Sequence, residues 1–474
     1  MRTIMALRHP VSTARPRSSS LPTRFALLSA LLLTLGFAAC AHHDASRSSS
    51  DAAGHAAIAA PPTRKVRGGE PDFAAFERHA GEAWALYRKH DDRGAMRAYE
   101  RALGAKPDDE QVLYRLAAAS LRAGETAAAR RWLGRLADTG SDLVPTLDQF
   151  QALETDAEFR AIAARMIAQA ARHRRAAFAF RVPERGLLAE AIAYDPVEPA
   201  FYVGSATRRK IVKYAPGNAP RDFVSARPDL DAIGGIRVDA SRRRLWAVSG
   251  TDPRMDGFNA AEAERNALAE LDLGTGALVG LYRLDAPGEH GLNDVAVDAK
   301  GRPFATDTSS GQIYTMNEGQ RALVPLFDVP PFAGPNGIAF DDQGTTLFVA
   351  DATGLHRIDV AARKTRRLAQ PTNVALGFID GLYFARTARG PRLLGVQSGA
   401  GPGRVVSVSL NAALDEVTGL EILESNHPSF DGPTTGAIVG PWLYIIANSQ
   451  LWVPREPRET IVLKVPLDPS TPAR

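Results

Sequence analysis

Leu292–Asp298 reads LNDVAVD, and five further stretches follow the same phrase: Ala189–Asp195 (AEAIAYD), Ile233–Asp239 (IGGIRVD), Pro335–Asp341 (PNGIAFD), Ile379–Ala385 (IDGLYFA) and Pro433–Val439 (PTTGAIV). Their second positions are Asn293, Glu190, Gly234, Asn336, Asp380 and, in the least closely aligned stretch, Thr434. A repeat of about 40 to 50 residues made of short strands is the signature of a propeller or solenoid. If each phrase opens the innermost strand of a blade, the six second residues meet around one axis.

Each phrase is followed by further short apolar runs, such as FATDT from Phe304, QIYTM from Gln312 and ALVPLFD from Ala322 after the third. Gly, Pro, Asp and Asn separate the runs, the pattern of antiparallel strands joined by tight turns. The fold class expected is mainly β, a six-bladed propeller over 174–474 with about four strands per blade. The last blade lacks a clear fourth strand, and AAFAFRV from Ala176 stands ahead of the first phrase. That segment is expected to close the ring.

With 45% hydrophobic residues and 57 Lys plus Arg against 53 Asp plus Glu, the chain has the composition of an ordinary globular protein. No basic face interleaved with aromatics points to nucleic acid. The single cysteine is informative through its place. Arg24 leads into FALLSALLLTLGF and then Ala38-Ala39-Cys40. Basic residue, apolar core and small residues before a Cys resemble a bacterial lipoprotein signal over 1–40, with Cys40 the lipidated residue after cleavage. Phe37 is bulkier than that pattern's usual leucine, and an ordinary secretory signal is the alternative. The expectation is an exported protein, periplasmic or at the cell envelope and held to the membrane by a lipid anchor. Residues 41–72, rich in Ala, Ser, His and Pro, read as a tether.

Helical periodicity runs over 73–173. Ala95 and Ala129, and Tyr99 and Leu133, recur at an offset of 34 residues, with Pro107 and Gly124 at helix junctions. Small residues where helices cross and a proline at the turn resemble the tetratricopeptide repeat. A third helical pair, around 145–169, is expected to cap the array and pack toward the propeller. A short array of this kind is a structural adaptor or, with more concave surface, a site for a protein partner.

Glu190, Asn293, Asn336 and Asp380 offer two carboxylates and two amide oxygens. These are hard donors suited to Ca²⁺, with Mg²⁺, Mn²⁺ or Zn²⁺ as substitutes. Asn-Gly and Asp-Gly pairs are also common in turns, because both residues tolerate positive φ. Four donors in one phase, including a Glu with no turn preference, favour a metal.

On these residues the chain from about Leu187 to Leu467 resembles the SMP-30/gluconolactonase family of six-bladed propellers, relatives of the paraoxonases. The resemblance implies one divalent cation held by Glu190, Asn293, Asn336 and Asp380. It also implies hydrolysis of a lactone or ester, with Asp380 as first choice for the general base and Glu190 as second. Where sugar-lactone members carry a substrate-binding Arg, this chain has Gly291, and blade two offers only Gly234. Asp294 and His290 are the remaining candidate substrate contacts. The chain lacks GxSxG, HExxH and GxxxxGK[ST] motifs, so no other hydrolytic chemistry competes. The alternative to an enzyme is a non-enzymatic propeller and helical module that binds a small ligand or a protein, since propellers host both.

Overall fold

The phrases become the inner strands of six four-stranded antiparallel sheets among the described residues: Ala189–Asp195, Ala232–Asp239, Leu292–Val297, Ile338–Phe340, Ile379–Thr387 and Gly436–Val439. Each inner strand touches the next around a closed circle, the sixth against the first. The structure is a computed structural model. It describes residues 71–468 except 171–172, 262–263, 318 and 452–455. The apolar stretch before Cys40, Cys40 itself and the proposed tether up to residue 70 lie outside the described residues. Among the described residues no helix is long and apolar enough to cross a membrane.

Blade six takes its outermost strand from ahead of blade one. Ala177–Arg185 pairs antiparallel with Glu459–Pro466, from Ala177 opposite Lys464 to Arg185 opposite Glu459. Its Phe180 and Val182 are buried with Phe201 and Val212 of blade one and Val462 of blade six, so the strand seals the seam between the first and last blades. Burying one such side chain is worth about 1.5–3 kcal/mol, and loss of the strand also exposes the edge of Glu459–Pro466. A chain lacking residues 1–70 keeps Asp72, whose carboxylate caps the first helix at 2.9 Å from Ala75 N. That truncation is expected to melt like the full chain, whereas one lacking residues 1–185 is expected to be unfolded at room temperature. Thermal melts of both decide it, and equal melting points would refute the closure.

The phrase has a physical cause. Ala189 and Ala191 pair with consecutive residues Ser205 and Gly204, leaving Glu190 as an extra residue on its strand. Asp380 is extra in the same way between Ile379 and Gly381, and the register also slips at Gly234-Gly235 and at Asn293-Asp294. A bulge of this kind turns one side chain out of the alternation of the pleat. The recurrent bulge is what aims the second residue of each phrase at the axis.

The glycines after Asn336 and Asp380 are not turn residues, as the Asn-Gly and Asp-Gly pairs suggested; neither has positive φ. They are needed for close approach. A Cβ on Gly337 would lie 2.5 Å from Asp380 O, and one on Gly381 would lie 2.9 Å from Thr435 Cα. Each glycine therefore lets the next blade's inner strand pinch in.

Ahead of the ring come α1 (Phe73–Arg88), α2 (Asp92–Ala105), α3 (Glu110–Arg122), α4 (Thr126–Asp138), the short α5 (Leu147–Phe150) and α6 (Ala157–Ala170). Ala95, Tyr99, Ala129 and Leu133 are buried between them, as the offset predicts. Gly124 follows α3 with φ of 82° and nothing within 4 Å of a Cβ, so the turn needs its backbone freedom, not its small size. The third helical pair does not carry the main contact with the propeller: α6 packs on α4. That contact comes from α1, the α3 face and residues 141–144. Arg404 of blade five, 1% exposed, donates to Glu110 at 2.8 Å, Asp142 at 2.6 Å and Gln397 at 2.6 Å. Lys106 bonds Asp109 at 2.7 Å and Val374 O. Among the described residues, helices and ring form one compact unit.

Candidate metal centre at the propeller axis

At the entry of the inner strands, Glu190, Asn293 and Asn336 are half-buried, and Asp380 and Thr434 are buried. Asn293 donates through Nδ2 to Thr308 Oγ1 at 3.1 Å, and Thr308 spends its own proton on Pro335 O at 2.7 Å. Thr308 can therefore only accept from Asn293, which fixes the amide with Oδ1 facing away from it. Asn336 Oδ1 and Thr434 Oγ1 are buried with no hydrogen-bond partner. Asp380 Oδ2 accepts from Ser398 Oγ at 3.2 Å.

The two carboxyls are both shifted toward the neutral form. Burial and then the Asp380 charge push Glu190 up to about 8, with Arg254 opposing. Burial pushes Asp380 up to about 7, against the Asn336 amide, which favours the charged form, and with the Asp294 charge adding to the rise. A buried carboxylate whose charge raises its neighbour, beside an orphaned amide oxygen, makes an arrangement that suits a divalent cation. Among the described residues no group of three or more His, Cys, Asp or Glu side chains is placed to hold a metal ion. Any cation here would rest on two carboxylates completed by the Asn293 and Asn336 amides, which fits hard, oxygen-loving ions and not thiophilic ones.

The other candidates sit differently. Asp294, 3% exposed, accepts from its neighbour Val295 N at 2.8 Å and from Ile338 N of the next blade at 3.4 Å, one step further along the strands. Burial raises it to about 6, opposed by Arg237. Arg237 donates to Val295 O and Ile338 O and stands between this carboxyl and a cavity of about 300 Å³ at the far end of the axis. His290 uses both ring nitrogens, on Asp307 Oδ2 at 2.7 Å and Ala286 O at 3.2 Å. It is thus engaged in holding the loop ahead of Asn293. A Cβ on Gly291 would meet Ser309 Oγ at 2.8 Å, and Arg88 Nη2 bonds that same hydroxyl at 3.3 Å.

The helices bring groups that the sequence reading did not single out. Trp84, Arg88 and Arg115 stand over the loops leading into Asn336, Asn293 and Asp380, so the helical layer covers part of the entrance. A cavity of about 710 Å³ separates α1 from blades three and four, lined by Trp84, Arg88, Thr308 and Gly334 among others. The signal for this lies in α3, buried from Glu110 to Ser120 on every side. A surface helix would show one apolar stripe.

These carboxyl shifts predict a pH dependence. Both folded values lie above those of an unfolded chain, about 4. The metal-free folded state therefore holds protons that the unfolded state releases, and its stability falls as pH rises from about 4 to 8. Chelator-treated protein is expected to melt lower at pH 8.5 than at pH 5.5. Added Ca²⁺ is expected to raise the melting point more at pH 8.5, where fewer protons must leave. A calcium shift independent of pH would count against the site.

A tetratricopeptide-repeat family model matches residues 86–155. No curated protein matches the chain. Among solved structures, the chain is similar to a gluconolactonase from Xanthomonas campestris at 16% identity, covering 64% of this chain and 93% of that one with a TM-score of 0.43. The calcium-binding protein regucalcin from Agrobacterium tumefaciens matches at 20% identity over 63% and 98%, with a TM-score of 0.41. A PQQ-bound aldose sugar dehydrogenase from Streptomyces coelicolor matches at 13% over 61% and 97%, with a TM-score of 0.42.

Proposed function

We propose that the chain is a divalent-cation-dependent hydrolase of lactones or esters, exported and anchored at the cell envelope through Cys40. One observation carries the catalytic part: Glu190 and Asp380, both raised by burial and Glu190 also by the Asp380 charge, converge with the unpartnered Asn336 Oδ1 at the propeller axis. Glu190, Asn293, Asn336 and Asp380 would hold the cation, most readily Ca²⁺. When bound, it would polarise the ester carbonyl and stabilise the oxyanion.

The rest is the work of the chain. Asp380, oriented by Ser398, is the general base that takes a proton from the attacking water. Asn293, locked by Thr308, presents an oxygen that cannot swing away. Trp84 and the loop after Asp307 shield the reacting face from bulk water. Export is supported by the sequence ahead of Cys40.

The test is elemental analysis of purified protein together with a lactone and arylester hydrolysis screen, with and without chelator. Chelator-sensitive turnover supports the reading. A bound cation without turnover favours the binding-module alternative, and an axis that takes up no cation sinks both the site and the enzyme.

A further inference from the structure

Arg115, in the middle of α3, is 8% exposed, and its Nε is sealed with no hydrogen-bond partner. Among the described residues no carboxylate pairs with it. The groups that act most on its charge are Tyr99, Tyr87 and Tyr114, with Arg122 repelling, and burial lowers its pKa. At the same interface Arg404 is met by two carboxylates. The chain thus gives one buried guanidinium two counter-charges and leaves the other bare of any, set only against the Phe378 and Trp84 rings, although a buried cation without a counter-charge is costly.

The bare one lies against the segments that hold Asp380. Its guanidinium carbon is 3.5 Å from the Phe378 ring centroid and 4.9 Å from that of Trp84. Phe378 has φ of 61°, a strained backbone for an aromatic residue, and leads through Ile379 into Asp380. On the other side, a Cβ on Gly399 would lie 2.7 Å from Arg115 Nη2, and Gly399 follows Ser398, which bonds Asp380. Trp84 Nε1 is likewise buried without a partner, 2.5 Å from where a Cβ on Gly334 would stand, two residues before Asn336. Two donors from the helices, both lacking acceptors, face the loops that present two of the four axial oxygens.

We infer that Arg115, flanked by Trp84 Nε1, is the anion-recognising element of the axial site, and that the substrates of this site are lactones or esters carrying a carboxylate. The inference rests on the axis being the reacting centre. The planar guanidinium fork matches a carboxylate, and binding one there supplies the missing negative charge. The helical layer then selects the substrate on which the ring acts.

The test uses the full chain. Glutarate is titrated against its neutral match glutaramide and against inorganic phosphate, with the melting point as readout. Glutarate well above its Kd is expected to raise the melting point by roughly 2–4 °C, and glutaramide not at all. Arg115→Met should lose that shift while melting at or above the wild type, because a bare buried charge is gone; Arg115→Lys should keep part of it. In the kinetic arm, Arg115→Met should raise KM about 10- to 100-fold more for a γ-lactone bearing a carboxylate than for γ-butyrolactone, the scale of one charged hydrogen bond.

Glutarate and glutaramide acting alike, phosphate outdoing glutarate, or a variant that melts several degrees lower with its glutarate shift intact would each overturn the inference. If the chain hydrolyses no lactone but the Arg115-dependent glutarate shift is present, the anion site stands and the hydrolase reading falls. Turnover of γ-butyrolactone without any glutarate effect gives the reverse.

Discussion

Asp380→Asn is expected to abolish Ca²⁺ binding in the micromolar to millimolar range and to lower hydrolysis by roughly 10²–10⁴-fold, the scale for loss of a positioned general base. The two losses have separate causes. The amide keeps the shape of the carboxylate and can still accept from Ser398, but it can neither take a proton at neutral pH nor offset an ion's dehydration. A third effect runs in the opposite direction. Asp380 is the strongest charge raising Glu190, so its removal should bring the Glu190 carboxyl down. The metal-free variant should then melt higher than metal-free wild type at pH 8, while gaining nothing from added Ca²⁺. A variant that binds Ca²⁺ as the wild type does would remove Asp380 from the centre. A variant that melts lower at pH 8 would mean that the two carboxyls do not oppose each other.

Arg404→Met is expected to give the largest loss of stability, about 3–5 kcal/mol. Arg404 and its partners Glu110 and Asp142 are all at least nine-tenths buried. Burial alone would lower the pKa of the guanidinium, but the two carboxylates more than offset this and hold it above its usual value. Methionine fills a similar volume yet leaves both carboxylates facing each other without a cation. Their pKa values would then rise above those of the unfolded chain. The deficit should accordingly be small near pH 4 and grow as pH climbs toward 8. Urea unfolding of both proteins at pH 4.5 and pH 8 reads this directly, and a pH-independent deficit would assign the loss to packing alone.

The ring and its axial residues are legible in the sequence because strand entry, bulge and donor are coupled. The extra residue that turns Glu190 or Asp380 inward belongs to the phrase itself, so its period marks both the strand and the axial position. The closing strand is legible for a similar reason, as an apolar run left over where blade six lacks one. The roof is not legible. The apolar residues of α1 and α3 record that the helices are buried but not what covers them, and the contacts of Trp84, Arg115 and Glu110 with Gly334, Phe378 and Arg404 join residues more than 200 positions apart. His290 illustrates the same limit on a smaller scale. A loop histidine beside a donor reads as available, and the Asp307 carboxylate that engages it comes from the neighbouring strand.

The seam at blade six also sets an order of events. Ala177 cannot pair until Lys464 has been made, so the earliest strand of the ring waits for the latest, and the toroid stays open throughout synthesis. Closing so long a loop is entropically costly only in proportion to the logarithm of its length, but it delays the native edge contacts. The waiting strand carries its own protection: Arg181, Pro183, Glu184 and Arg185 interrupt its apolar run, and proline offers no amide to a stray partner. A protein that completes its ring only when its last strand has emerged holds its first and last blades apart until that moment.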